Sequence, residues 1–209
     1  MEHWDAISQM RLALADQLAD LTPEQWATPS LCGAWTVRDV TAHLVLPHVI
    51  STPAFLKALA LAGGRFERAN VAMTAEVAKR SDAELVSDLR RFADSRAKPP
   101  IFSSVAPLTE MLVHGQDIRI PLDLPSEPSI DRWQASLGFL MQPRARFGFA
   151  PKPVGGLRLE ATDCGWTHGA GDEVRGPAAA LALALLNRTA LADQLAGPGA
   201  ARLVGSAAT

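Results

Sequence analysis

Apolar residues recur at helical spacing through the first two-thirds of this 209-residue chain, and prolines and capping residues cut the pattern into pieces. From Asp5 to Leu21, residues Ile7, Leu12, Leu14, Leu18 and Leu21 lie near helical spacing. Thr22-Pro23-Glu24 ends that helix and opens a short turn, with proline at a first helical position. Ser30–Trp35 is irregular. Thr36-Val37-Arg38-Asp39 then has the outline of a capping box, with Asp in place of Glu, and launches a helix toward Ile50. Val37, Val40 and Leu44 mark its buried face, and Pro47 its kinked or buried end. Residues 53–62 predict another helix, cut by Gly63-Gly64, and residues 65–79 a further one. Ser81-Asp82-Ala83-Glu84 is a capping box before LVSDLRRFADSRA, which Pro99-Pro100 ends. Pro107 stands near the start of a helix that carries Glu110 and His114. Pro121 and the Pro/Ser-rich stretch PLDLPSEPS close it.

Beyond that linker the texture changes. Residues 131–146 predict one more helix, with Trp133, Leu137 and Leu140. GLRLEAT alternates like a strand, and GWTHGAGDEVRG reads as two short strands around a glycine-rich turn. Pro177 starts the helix PAAALALALLNR. LADQL predicts a short helix and ARLV a last strand. The chain is therefore mostly α with a small α+β C-terminal part: a bundle-like helical unit over 1–128 and a small unit over 129–209.

Composition narrows the function classes. The chain is 48% hydrophobic and 20% charged, with a net charge of -2. That balance suits a globular protein and gives no reason to expect nucleic acid or acidic lipid as a partner. The start, Met1-Glu2-His3-Trp4-Asp5, lacks the basic n-region of a secretory leader. No window approaches the roughly 18 unbroken apolar residues of a membrane span. Only Cys32 and Cys164 are present. Nothing in their spacing supports a disulfide, and a reducing cytoplasm is the expected compartment. A metal site would need histidine and carboxylate ligands drawn from His3, His43, His48, His114 and His168.

Glu110 and His114 are four residues apart, so on a helix they leave the same face one turn from each other. A histidine at a core edge, bonded to a nearby glutamate, would explain the pair without a metal. His43 shifts the balance, because it sits mid-helix between Ala42 and Leu44, where a solvated face would carry Lys or Glu. Two bundle helices can bring His43 against Glu110 and His114. Two imidazoles and a carboxylate suit zinc with an open position, and they also suit Fe(II), Ni(II) or Mn(II). His48 is a weak fourth ligand, expected to be exposed, and His3 and His168 are given no chemistry. Asp39 either orients His43 or serves only as the cap. Asp117 either orients His114 or pairs with Arg38 or Arg119. Cys32 lies in the loop before the His43 helix, within approach of the site, although a lone buried cysteine is commonly a small hydrophobe.

Three segments together resemble a known family. LTPEQWATPSLCGAWTVRDVTAHL resembles the N-terminal signature of the mycothiol-dependent maleylpyruvate isomerase family, within the DinB-like superfamily of helical-bundle metalloproteins. TEMLVHGQDIRIPL resembles that family's second metal motif. GWTHGAGDEVRGPAAALALALLNR resembles the small C-terminal domain that many members carry. The resemblance implies an up-down-up-down four-helix bundle followed by a small α/β domain. It places the family's zinc ligands on His43, Glu110 and His114, and it implies an actinobacterial protein using mycothiol.

The resulting expectation is a metal-dependent thiol transferase or isomerase, cytoplasmic, a monomer or homodimer. Its partners would be a small electrophilic molecule and a low-molecular-weight thiol, with Arg38, Arg90 and Arg119 as candidates to hold a substrate carboxylate. The alternatives are a hydrolase in which the metal activates water, with Asp39 or His48 as base, and a non-catalytic metal- or small-molecule-binding protein.

Overall fold

A computed structural model describes residues 3–98, 102–126 and 129–205. The Pro99-Pro100 stop, and Glu127 and Pro128 of the linker, lie outside the described residues. The chain divides into two compact units: Met1–Pro99 with His114–Pro125, and Pro100–Val113 with Ser126–Thr209.

The first unit is helical. It holds α1 (Trp4–Ala19), α2 (Pro23–Trp26), α3 (Val37–Val49), α4 (Thr52–Leu61), α5 (Phe66–Val77) and α6 (Asp82–Arg91). Helix α7 (Val105–Arg119) runs through the point of division. The expected caps at Thr36 and Ser81 are formed, and Thr22 adds a third. Thr22, Thr36 and Ser81 each accept the backbone N–H three residues on, and Gln25, Asp39 and Glu84 each accept back from the cap residue's N–H. Each capping box fixes where its helix starts, and so which residues turn inward. Helix α1 packs on α6, and α3 on α5 and α6. Ile7, Leu14, Leu18, Val37, Val40, Val45, Leu85 and Leu89 form the core between them. Each of these side chains contributes about 1.5–3 kcal/mol by leaving water.

One charge is buried in that packing. Arg11 is 4% exposed, and its Nη1 donates to the carbonyls of Phe92, Ala93 and Ser95 at 2.8–3.0 Å. It thereby serves carbonyls just past the end of α6, where the helix dipole favours a cation. Burial pulls its pKa down to about 10, against a weaker opposing pull from Asp94.

The second unit is mixed. Helix α8 (Ile130–Leu140) is followed by a short 3₁₀ turn at Pro143–Phe147, so the helix expected over 131–146 breaks. Pro143 has no N–H to continue the α-ladder and occupies the first turn of the new piece instead. Strands β1 (Leu157–Ala161), β2 (Thr167–Gly169) and β3 (Asp172–Gly176) form a sheet in the order β2-β1-β3. Strand β1 pairs antiparallel with β2, Leu159 opposite His168, and parallel with β3, Leu159 opposite Val174. The turn between β2 and β3 requires glycine: at Gly171 (φ +124°) a Cβ would lie 2.1 Å from the Gly156 carbonyl oxygen.

Helix α9 (Ala178–Leu185) starts directly after Pro177, as expected, and lies against β1, β3 and α8. LADQL yields only a 3₁₀ turn at Ala192–Gln194. The expected last strand at ARLV is instead α10 (Ala200–Gly205), buried through Leu203. A short apolar run has no periodicity of its own, and the packing of Leu203 decides it. No helix among the described residues is long and apolar enough to cross a membrane.

Candidate metal centre

Helix α3 sets the first donor. Thr36 donates its N–H and its O–H to Asp39 Oδ2 at 2.9 and 2.7 Å, and Thr36 Oγ1 accepts the Asp39 N–H at 3.3 Å. Asp39 therefore performs the capping duty. His43 follows one turn later, between the buried Ala42 and Leu44. The loop ahead of α3 is folded back by a bridge between Pro29 and Thr36, which lays the Trp35 ring 5.1 Å from the His43 ring.

Helix α7 carries the other donors. Leu108, Met111, Leu112, Val113 and Ile118 embed it. His114 keeps only 11% of its side chain exposed, and its Nδ1 lies 2.8 Å from Oδ2 of the fully buried Asp117. When the Asp117 carboxylate is ionised it only accepts, so that Nδ1–H donates to it and the ring lone pair lies on Nε2. Asp117 thus pairs with the His114 ring. The Asp117 backbone carbonyl in turn accepts the Leu31 N–H at 3.2 Å, tying the loop before α3 to α7.

The His43 and His114 rings meet edge to face, with centroids 4.9 Å apart at 76°. Glu110 stands one turn before His114 on the same helix. One ligand atom each from His43, Glu110 and His114 lies within 4.8 Å of the others. A tetrahedral ion with bonds of about 2.1 Å sets its ligands roughly 3.4 Å apart, so the three donors need only small side-chain movements to close on one. Their chemistry, two nitrogens and one anionic oxygen, fits a divalent metal and leaves positions for another ligand.

A second cluster shares His114. Cys32, His114 and Asp117 also offer ligand atoms within 4.8 Å of one another. Only position in the loop before α3 hinted at Cys32, because its approach to α7 is a tertiary contact that no spacing encodes. No disulfide joins Cys32 and Cys164.

His48 departs from expectation. It belongs to neither cluster and is half-buried rather than exposed, stacked on Phe92 with centroids 5.3 Å apart. Burial, with a smaller contribution from Arg11, lowers its pKa to about 4, so it is neutral at pH 7. His3 precedes α1, and His168 is exposed on β2, stacked on Trp166. In the second unit a cleft of about 400 Å³ is lined by Gln142, Arg146, Lys152 and His168 among others, and by none of the expected metal ligands.

Two of the three candidate arginines are engaged by acids. Arg38 pairs with Asp82, donates to the Arg80 carbonyl and lies over the Trp26 ring. Arg90 pairs with Asp16 at 2.9 Å. Arg119 donates Nε–H to Gln17 Oε1 at 2.7 Å, and burial lowers its pKa. Its guanidinium folds onto Gly115, where a Cβ would come within 2.6 Å of Nη1. That glycine, inside a helix where it costs about 1 kcal/mol, was the available sign of the close approach.

Residues 7–100 match the family described as mycothiol maleylpyruvate isomerase N-terminal domain. Among solved structures, the chain is similar to a mycothiol-dependent maleylpyruvate isomerase, with 16% identity, 95% of each chain covered and a TM-score of 0.51. It is similar also to a histidine-to-alanine mutant of such an isomerase, at 14% identity, the same coverage and the same TM-score. At these identities the likeness is one of fold. No curated protein sequence matches the chain.

Proposed function

We propose that the chain, whose residues 7–100 match the mycothiol maleylpyruvate isomerase N-terminal domain family, is a metal-dependent, thiol-dependent isomerase or transferase. Its substrate would be a small molecule with an electrophilic carbon, its metal zinc, and its thiol mycothiol. The single observation that carries this reading is the convergence of His43, Glu110 and His114. In it, residues 1–128 act as a four-helix bundle that presents these donors.

Each residue has a stated task. His43 and His114 supply ring nitrogens and Glu110 a carboxylate oxygen. Asp117, through the 2.8 Å bond to Nδ1, keeps the His114 ring turned and its other nitrogen unprotonated. Trp35 packs beside the His43 ring. The Thr36–Asp39 cap fixes the rotation of α3 and with it the direction of His43. A divalent metal bound there supplies the positive charge that holds a coordinated thiol as thiolate near neutral pH. Because Arg38 and Arg90 are committed to Asp82 and Asp16, Arg119 is the arginine of the three that keeps guanidinium N–H groups for an anionic substrate group.

The test is metal content together with thiol-dependent turnover. Wild type should bind about one equivalent, and His43→Ala, Glu110→Ala and His114→Ala should each lose most of it. Equal metal in all four proteins would refute the ligand set. Metal binding without consumption or isomerisation of any electrophile in the presence of a low-molecular-weight thiol would refute the reaction class.

A further inference from the structure

We propose that Cys32, His114 and Asp117 form a second, thiolate-containing metal seat that competes with the His43–Glu110–His114 set for the same imidazole. Three donors of different chemistry converge here, within 4.8 Å, and none is a surface carboxylate. Asp117 is fully buried and His114 nearly so, while Cys32 is half-buried and therefore reachable by an ion from solvent. A thiolate, an imidazole and a carboxylate together suit a borderline or soft divalent cation better than a hard one. All three residues lie in the first unit, and neither His43 nor Glu110 is needed.

The competition follows from the ring. A neutral imidazole has one lone pair to give and one N–H. With the proton on Nδ1, donated to Asp117, the lone pair is on Nε2. For the second seat, the ion takes the place of that proton between Nδ1 and Asp117 Oδ2. The ring proton then moves to Nε2, and the Cys32 thiol releases its proton to solvent as sulfur bonds the ion. The net change is one metal bound and one proton released. A neutral His114 serves one seat at a time, so the Asp117 hydrogen bond selects between them. This makes the hydrogen bond that orients His114 also a guard against capture of the metal by sulfur.

Cobalt(II) reads the seat directly, because a cobalt–thiolate bond gives an intense near-ultraviolet charge-transfer band that histidine and carboxylate ligands do not. The metal-free protein, kept reduced with a phosphine, should develop the band together with the first equivalent of cobalt, in the fraction of molecules where sulfur holds the ion. Cys32→Ser should lose it entirely and Cys164→Ser should keep it. His43→Ala, which weakens the competing set, should show a stronger band at saturating cobalt. As a second check, zinc should slow alkylation of Cys32 in His43→Ala at least tenfold and leave Cys164 unchanged. The proposal is overturned if saturating cobalt gives no thiolate band in His43→Ala, if the band survives Cys32→Ser, or if zinc leaves Cys32 alkylation of His43→Ala unchanged. These outcomes are separate from those of the preceding reading. Full metal kept by His43→Ala and Glu110→Ala in a Cys32→Ser background would sink the isomerase ligand set, while the cysteine seat is judged by its own band.

Discussion

Helices α7 and α9 are both enclosed by protein, yet they are built on opposite rules. Helix α9 buries Ala178 and Ala180–Leu185 with no polar side chain among them. It is apolar all round, which is what a core helix needs and no more. Helix α7 buries Leu108, Met111, Val113 and Ile118, but it also encloses Thr109 and Asp117 completely and His114 almost so. Thr109 returns its hydroxyl to the Val105 carbonyl at 2.8 Å and costs little. A buried carboxylate is different, because removing its charge from water costs several kcal/mol unless partners compensate. An all-leucine α7 would be the more stable design. The difference teaches where to look: α9 is explained by packing alone, whereas α7 carries a polar stripe that packing does not ask for.

The contrast can be broken from its apolar side with the largest effect. Leu183→Ala in α9 should destabilise the protein by about 2–5 kcal/mol, seen as a lower urea midpoint, with metal content unchanged. A loss below about 1 kcal/mol would mean that α9 is not the close-packed element described. From the polar side, Asp117→Asn should weaken metal binding about 10–100-fold while shifting the urea midpoint less than Leu183→Ala does. Unaltered affinity would remove Asp117 from the site. The finest cut concerns His48, a half-buried histidine stacked on Phe92. Its folded pKa is depressed from the ordinary 6.5 to about 4, so its contribution is present above pH 6.5. As pH falls from 6.5 toward 4 the unfolded chain takes up a proton that the folded chain refuses, and stability declines. His48→Gln should flatten that part of the pH profile, and an unchanged slope would assign the loss to other groups.

What could be read from the chain was whatever local chemistry decides. The Thr36 and Ser81 caps, the Pro177 start and the three short strands each depend on residues a few positions apart, and each formed. The pairing of Glu110 with His114 is equally local, since one helical turn imposes it. What could not be read depends on partners far along the chain. Arg38 and Arg90 are taken up by Asp82 and Asp16, which lie 44 and 74 positions away. His48 looked exposed because Phe92, its stacking partner, is 44 positions away. ARLV looked like a strand because four residues are too few to show a period, and burial of Leu203 made it helical.

One small contact has a reach beyond its strength. The Leu31 N–H bonded to the Asp117 carbonyl, with the Pro29–Thr36 bridge behind it, pins a surface loop at both ends. Surface loops ordinarily absorb inserted residues at slight cost. Here one extra residue between Pro29 and Thr36 would break the bridge or slide Trp35 off His43 and Cys32 away from His114. Among natural variants this segment should therefore drift in composition while holding its length, and a library of single-residue insertions should find it among the least forgiving loops in the protein.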